Sequence, residues 1–181
     1  MKILMLVGSG HKGGNTDKMA DAFAAGAAEA GHEVSKVHLG SLEIEDCRGC
    51  GTCQRNGNHC AIRDDMEPLY QEFADCDMFV LASPLYFWTI SGRLKCFIDR
   101  LYAISRNDEY PAKKTALLMT AGDDKTWTFD AAVQYYHTLS QIFGGQDMGM
   151  CLAGGCVGCE EGERQISASY LEMAKGLGKS I

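Results

Sequence analysis

Cys47-x2-Cys50-x2-Cys53-x6-Cys60 places four thiols in one stretch rich in Gly and Asn. Thiolates at x2 intervals can wrap a small inorganic centre, because a turning backbone brings three sulfurs together and a fourth closes the set. Zinc sites usually present two separated C-x2-C knuckles, whereas three cysteines at x2 spacing match cubane iron–sulfur ligation. The spacing favours iron over zinc, and free or redox-active thiols are the third reading. Ala61 follows the last cysteine where the bacterial ferredoxin run has Pro. Of the remaining cysteines, Cys76 and Cys96 read as small core residues. Cys151, within the last predicted strand, carries no assignment, and the pair Cys156-x2-Cys159 in the glycine loop after that strand reads as a dithiol, a second metal site or loop filler, with filler favoured.

A second chemical segment runs from Gly8 to Thr16, Gly-Ser-Gly-His-Lys-Gly-Gly-Asn-Thr. Its glycines let backbone N–H groups converge, and the helix that follows presents its N-terminus to an anion. Gly14-Asn15 stands where a Walker A loop needs Lys-Ser/Thr, so a nucleoside-triphosphatase is excluded. Gly8, Gly10 and Gly13 satisfy G-x-G-x-x-G, but His38 and Leu39 end the second strand where a dinucleotide site places an acid. The alternative is a monophosphate site with Ser9, Asn15 and Thr16 as donors; Asn15 or Thr16 can also cap the helix. Two further loops complete the set. Ser83-Pro84-Leu85-Tyr86-Phe87-Trp88 exposes three consecutive aromatics, which suits covering a flat ring or a second subunit. Thr120-Ala121-Gly122-Asp123-Asp124 brings small residues to the end of another strand.

These loops need a frame, and the periodicity supplies one. Apolar runs predict strands at Lys2–Val7, Glu33–Leu39, Met78–Ser83, Lys114–Thr120 and Met148–Ala153. Helical spacing predicts helices at Thr16–Ala30, Met66–Ala74, Ser91–Tyr102, Thr128–Phe143 and Glu163–Gly176, with Glu45–Asp65 irregular. Strands alternating with helices imply an α/β parallel sheet covered on both faces, with ligands beyond the strands' carboxyl ends at the topological switch point.

The composition agrees. The 181 residues suit one domain, and 21 Gly, about 12% against a usual ~7%, point to ligand loops. A net charge of −7 argues against a nucleic-acid or anionic-membrane binder. No apolar stretch approaches the ~18 residues of a transmembrane span, and the N-terminus does not read as a signal peptide. A cytoplasmic setting is expected, in which nine cysteines are not disulfides.

The G-S-x(n)-G-N-T loop at Gly8 to Thr16 is joined by the S-P-x-Y loop at Ser83 to Tyr86, followed by Gly92, Lys95 and Asp99-Arg100. With the T-A-G turn at Thr120 to Gly122, these resemble the flavodoxin-like NADPH-dependent FMN reductases over nearly the whole chain. The resemblance implies a flavodoxin-like strand order 2-1-3-4-5 and FMN at the switch point. Ser9, Asn15 and Thr16 would hold the phosphate, with Gly10 and Lys12 in the same cofactor-binding loop. Pro84, Leu85, Tyr86 and Phe87 would line the isoalloxazine, and Thr120, Ala121 and Gly122 would flank it. Asp99 and Arg100 also read as a helix-end ion pair. The implied activity passes electrons from NAD(P)H through FMN to a small acceptor such as a quinone or flavin, with no side-chain acid or base required. The cysteine run is similar to that of the iron-sulfur flavoproteins, which implies a [4Fe-4S] cluster on Cys47, Cys50, Cys53 and Cys60. An electron carrier between a ferredoxin-like donor and an acceptor is the alternative this raises. Family resemblance also implies a homodimer or homotetramer.

Overall fold

A computed structural model describes residues 1–105, 109–156 and 165–181. Five strands form one parallel sheet: β1 (Lys2–Val7), β2 (Glu33–His38), β3 (Met78–Pro84), β4 (Lys114–Thr120) and β5 (Gln146–Ala153). Their order is β2-β1-β3-β4-β5, the flavodoxin-like arrangement. The helices are α1 (Asn15–Glu29), α2 (Thr52–Arg55), α3 (Met66–Asp75), α4 (Gly92–Arg100), α5 (Asp130–Ile142) and α6 (Ala168–Ser180).

The central strands carry near-continuous apolar runs because both faces are covered. Side chains alternate across a strand, so Leu4, Leu6, Phe79, Leu81, Leu117 and Met119 face α3, α4 and α5. Ile3, Met5, Val7, Met78, Val80, Ala82, Ala116 and Leu118 face α1 and α6. On the first face Phe73, Phe79 and Phe143 interlock with ring centroids 5.2–5.4 Å apart. β2 lies at the sheet edge, and its alternating exposed and half-buried positions reflect that. Among the described residues, no helix is long and apolar enough to cross a membrane.

Several boundaries depart from the periodicity. β5 starts at Gln146, two residues before the apolar run, because pairing with β4 extends over Lys114 and Thr115. The last helix begins at Ala168, after Ser167 adopts the extended conformation of an N-cap. Glu163 and Cys159 lie outside the described residues. Cys96 is half-buried on the flank of α4, whereas Cys76 is buried as expected. Asp99 and Arg100 do not pair with each other. Asp99 meets Lys95 one turn back on the helix surface, and Arg100 turns inward to Asp64. Consecutive helical residues point about 100° apart, so a mutual pair would have required both to leave their faces.

Candidate functional site

A cavity of about 270 Å³ lies at the carboxyl ends of β1, β3 and β4, where β1 is flanked by β2 on one side and β3 on the other. Its wall gathers Ser9, Asn15, Thr16, Pro84, Leu85, Tyr86, Thr120, Ala121 and Gly122 from three separate loops. Gly10, Lys12 and Phe87 do not line it. Gly10 and Lys12 are exposed, and Phe87 points into solvent with 93% of its surface accessible. His11, Gly14 and Cys156 complete the wall without having been singled out as cofactor residues. Cys156 belongs there because its N–H donates to Ala121 O at 2.8 Å, folding the chain after β5 back onto the β4 loop. That pairing is non-local, and Cys-x2-Cys spacing carried no trace of it.

The loop after β1 is held from several sides. The Ser9 hydroxyl accepts from His11 N–H at 3.1 Å and lies 3.3 Å from His11 O, closing a local turn. Gly40 sits so close that a Cβ there would lie 2.5 Å from Ser9 O, so only glycine lets the end of β2 press against this loop. Thr16 Oγ1 and Thr120 Oγ1 share a buried hydrogen bond of 2.7 Å, joining the first turn of α1 to the end of β4. Asn15 Oδ1 accepts from Ile166 N–H at 2.9 Å. Gly14 holds the N-cap position without a side-chain hydrogen bond, so neither Asn15 nor Thr16 is the cap.

One carboxylate stands in this first turn. Asp17 accepts from Gly13 N–H at 2.7 Å, and Lys36 Nζ lies 2.6 Å from its other oxygen. Burial works to raise its pKa, but the Gly13 N–H and Lys36 prevail and hold it below the usual carboxylate range. Lys36, which also meets Asp21 at 2.6 Å, offsets part of this charge, and the positive end of the α1 dipole still favours an anion. The donor set fits an FMN: a helix N-terminus with hydroxyl and amide side chains for the phosphate, and two further loops for a flat ring.

The cysteine stretch forms a second feature. Cys47, Cys50, Cys53 and Cys60 all border one cavity of about 150 Å³, together with Ile62, Arg100 and Tyr102. Among the described residues, no three Cys, His, Asp or Glu side chains are arranged to hold a metal ion. The thiols thus share a wall without converging. Hydrogen bonds from the Thr52 hydroxyl and N–H draw the Cys50 thiol below its ordinary pKa.

Arg100, the last residue of α4, closes the base of this stretch. Its guanidinium donates to Asp64 Oδ2 at 2.6 Å and Oδ1 at 3.0 Å, to Glu45 O at 2.9 Å and to Tyr70 Oη at 3.2 Å. Asp64 also accepts from the N–H groups of Glu45 and Met66. Both ends of the stretch are therefore tied to one buried cation. Burial works to raise the Asp64 pKa, and Arg100 and these N–H donors hold it low. A carboxyl depressed in the folded state contributes stability above its unfolded pKa and loses it as pH falls through the folded value. The stability gap between wild type and Asp64→Asn is therefore expected to shrink as pH drops below about 4, read from denaturation midpoints. A constant gap down to about pH 2 would contradict the shift.

The NADPH-dependent FMN reductase family profile matches residues 1–155. The chain belongs to this family. As a member it is an NAD(P)H-dependent FMN oxidoreductase, a flavoprotein. Among curated relatives, this FMN reductase is similar to an iron-sulfur flavoprotein of Archaeoglobus fulgidus, 32% identical over 182 residues that cover the whole chain and 79% of the relative. An iron-sulfur flavoprotein of Methanosarcina thermophila is 29% identical over 144 residues, 80% of this chain and 75% of that one. The fold is shared with an NAD(P)H:quinone oxidoreductase from Methanothermobacter marburgensis at a TM-score of 0.75 and 18% identity, covering 99% of this chain and 96% of that chain.

Proposed function

We propose that this reductase binds FMN in the cavity at the ends of β1, β3 and β4 and passes electrons from NAD(P)H to a small acceptor such as a quinone or flavin. The observation that carries this reading is the convergence of nine candidate residues from three sequence-distant loops on one wall. FMN supplies the redox chemistry when bound, taking hydride from the nicotinamide and giving up electrons to the acceptor. The chain's own contribution is position and electrostatics. The first turn of α1, with Ser9 and Thr16, binds the phosphate. The Thr16–Thr120 hydrogen bond fixes the spacing between phosphate and ring walls. Leu85 N–H donates to Thr120 O at 2.7 Å and Ala121 N–H to Ala153 O at 2.8 Å, so both ring walls are continuations of the sheet rather than free loops. Anaerobic mixing of the FMN-loaded protein with NADPH is expected to bleach the flavin absorbance. Persistence of the oxidised spectrum would overturn the assignment of NAD(P)H as donor.

The cysteine cavity favours a second reading, an iron–sulfur flavoprotein that carries electrons between a ferredoxin-like donor and an acceptor. The donor set suits a [4Fe-4S] cluster, since all four thiols border one cavity whose ends are fixed by Arg100. The side chains would have to turn inward to ligate. Iron and acid-labile sulfide in anaerobically purified protein, lost in Cys50→Ser while FMN is retained, would support this reading; their absence from the wild type would sink it.

A further inference from the structure

Tyr86 to Thr89 folds as a two-residue reverse turn, closed by Tyr86 N–H to Thr89 O at 3.0 Å and Thr89 N–H to Tyr86 O at 3.2 Å. Its central residues, Phe87 and Trp88, have φ of 50° and 59°. Two successive left-handed positions favour Asn-Gly, and bulky aromatics are among the residues least suited to them. Strain kept at an exposed site points to a use for the side chains it displays.

What it displays is a ring pair. The Trp88 indole stacks on that of Trp127 with centroids 5.9 Å apart and planes 22° from parallel. The Phe87 ring lies edge-on to Trp88 with centroids 5.9 Å apart and planes 88° from parallel. Lys125 Nζ lies 5.2 Å from the Trp127 ring centroid. Trp88 follows Tyr86, and Trp127 follows Gly122 by five residues, so the stacked indoles come from the two loops that form the ring walls of the cavity. Both remain close to half exposed, 45% and 47%.

We infer that Trp88 and Trp127 form a stacking shelf at the mouth of the cavity that selects fused-ring planar acceptors over single-ring ones. This deepens the flavin reading and rests on it. A flat π-face gains contact area and quadrupole complementarity on such a shelf in proportion to the rings it lays down, and Tyr86, two residues before Trp88, lines the cavity. In the overall reaction NAD(P)H and one proton reduce the quinone to the hydroquinone, with NAD(P)⁺ as the other product. The shelf acts on binding of the quinone and leaves that balance unchanged.

The test is steady-state kinetics of FMN-loaded wild type, Trp88→Ala, Trp127→Ala and Trp88→Phe, with 1,4-naphthoquinone and 1,4-benzoquinone each varied at saturating NADPH and with NADPH varied at a fixed high quinone concentration. Each alanine variant is expected to raise KM for naphthoquinone about tenfold relative to benzoquinone, with Trp88→Phe recovering most of the loss, as ring stacking energies imply. An unaltered ratio of the two KM values would overturn the shelf. A rise confined to the KM for NADPH would overturn it too, by assigning the rings to the donor. So would an unaltered ratio with a changed mass on size exclusion, which would assign them to a second copy of the chain. NADPH bleaching of the wild type separates the levels: a wild type that is not bleached refutes the flavin reading beneath, while a bleached wild type with an unaltered ratio refutes the shelf alone.

Discussion

Arg100→Ala is expected to cost about 3–5 kcal/mol of folding stability, the usual penalty for stranding one member of a buried ion pair. The two side chains are 1% and 7% exposed, so no solvent replaces the lost partner. Removing the guanidinium leaves the Asp64 carboxylate buried opposite an apolar methyl and strips donors from Glu45 O and Tyr70 Oη. In a chain of this length, that corresponds to a fall in melting temperature of about 10 °C. Chemical denaturation would measure it directly. The double variant Arg100→Met with Asp64→Leu is expected to regain a large part of the loss, because neither charge then remains unpaired. A loss below about 1 kcal/mol in the single variant would show that water reaches the pair, in the manner of a surface salt bridge.

Thr16→Asp is expected to weaken FMN binding by about 10³-fold. Thr16 is buried in the first turn of α1 and lines the cavity. A carboxylate there would face the phosphate at close range. Two unit charges ~4 Å apart at an effective dielectric near 20 repel by about 4 kcal/mol, and each 1.4 kcal/mol is about a decade in Kd. The substitution also removes the hydroxyl bonded to Thr120. Thr16→Ser keeps the hydroxyl without the charge and is expected to stay within about tenfold of wild type, since one neutral hydrogen bond is worth about 1 kcal/mol. Titration of apoprotein with FMN, followed by quenching of flavin fluorescence, reads both. Equal affinity for the Asp and Ser variants would place the phosphate elsewhere.

Much of this architecture was legible in the sequence for a local reason. Strands covered on both faces read as near-continuous apolar runs, so those within Met78 to Ser83 and Lys114 to Thr120 announce themselves without any knowledge of their neighbours. The glycine loop and the S-P-x-Y and T-A-G turns follow such strands, and the parallel topology then gathers them at one end of the sheet. What stayed hidden depends on contacts between distant segments. Arg100 finds Asp64 36 positions upstream, in a stretch without periodicity, so the adjacent Asp99 was the natural partner on paper. Cys156 reaches the cavity through a backbone hydrogen bond to Ala121. Phe87 leaves the wall because the turn takes φ values that its residue type disfavours, a local rule overridden by the closure between Tyr86 and Thr89. The cysteine spacing left iron or zinc ligation and free, redox-active thiols open, and whether four side chains converge depends on rotamers that spacing does not encode.

The central claim is that the cavity at the ends of β1, β3 and β4 is an FMN site. Its most direct measurement is equilibrium titration of the apoprotein with FMN and, separately, with riboflavin. We predict saturation at one FMN per chain, with riboflavin bound far more weakly because it lacks the phosphate that the first turn of α1 receives. Equal affinity for the two flavins, or no saturable binding of FMN, would contradict the account.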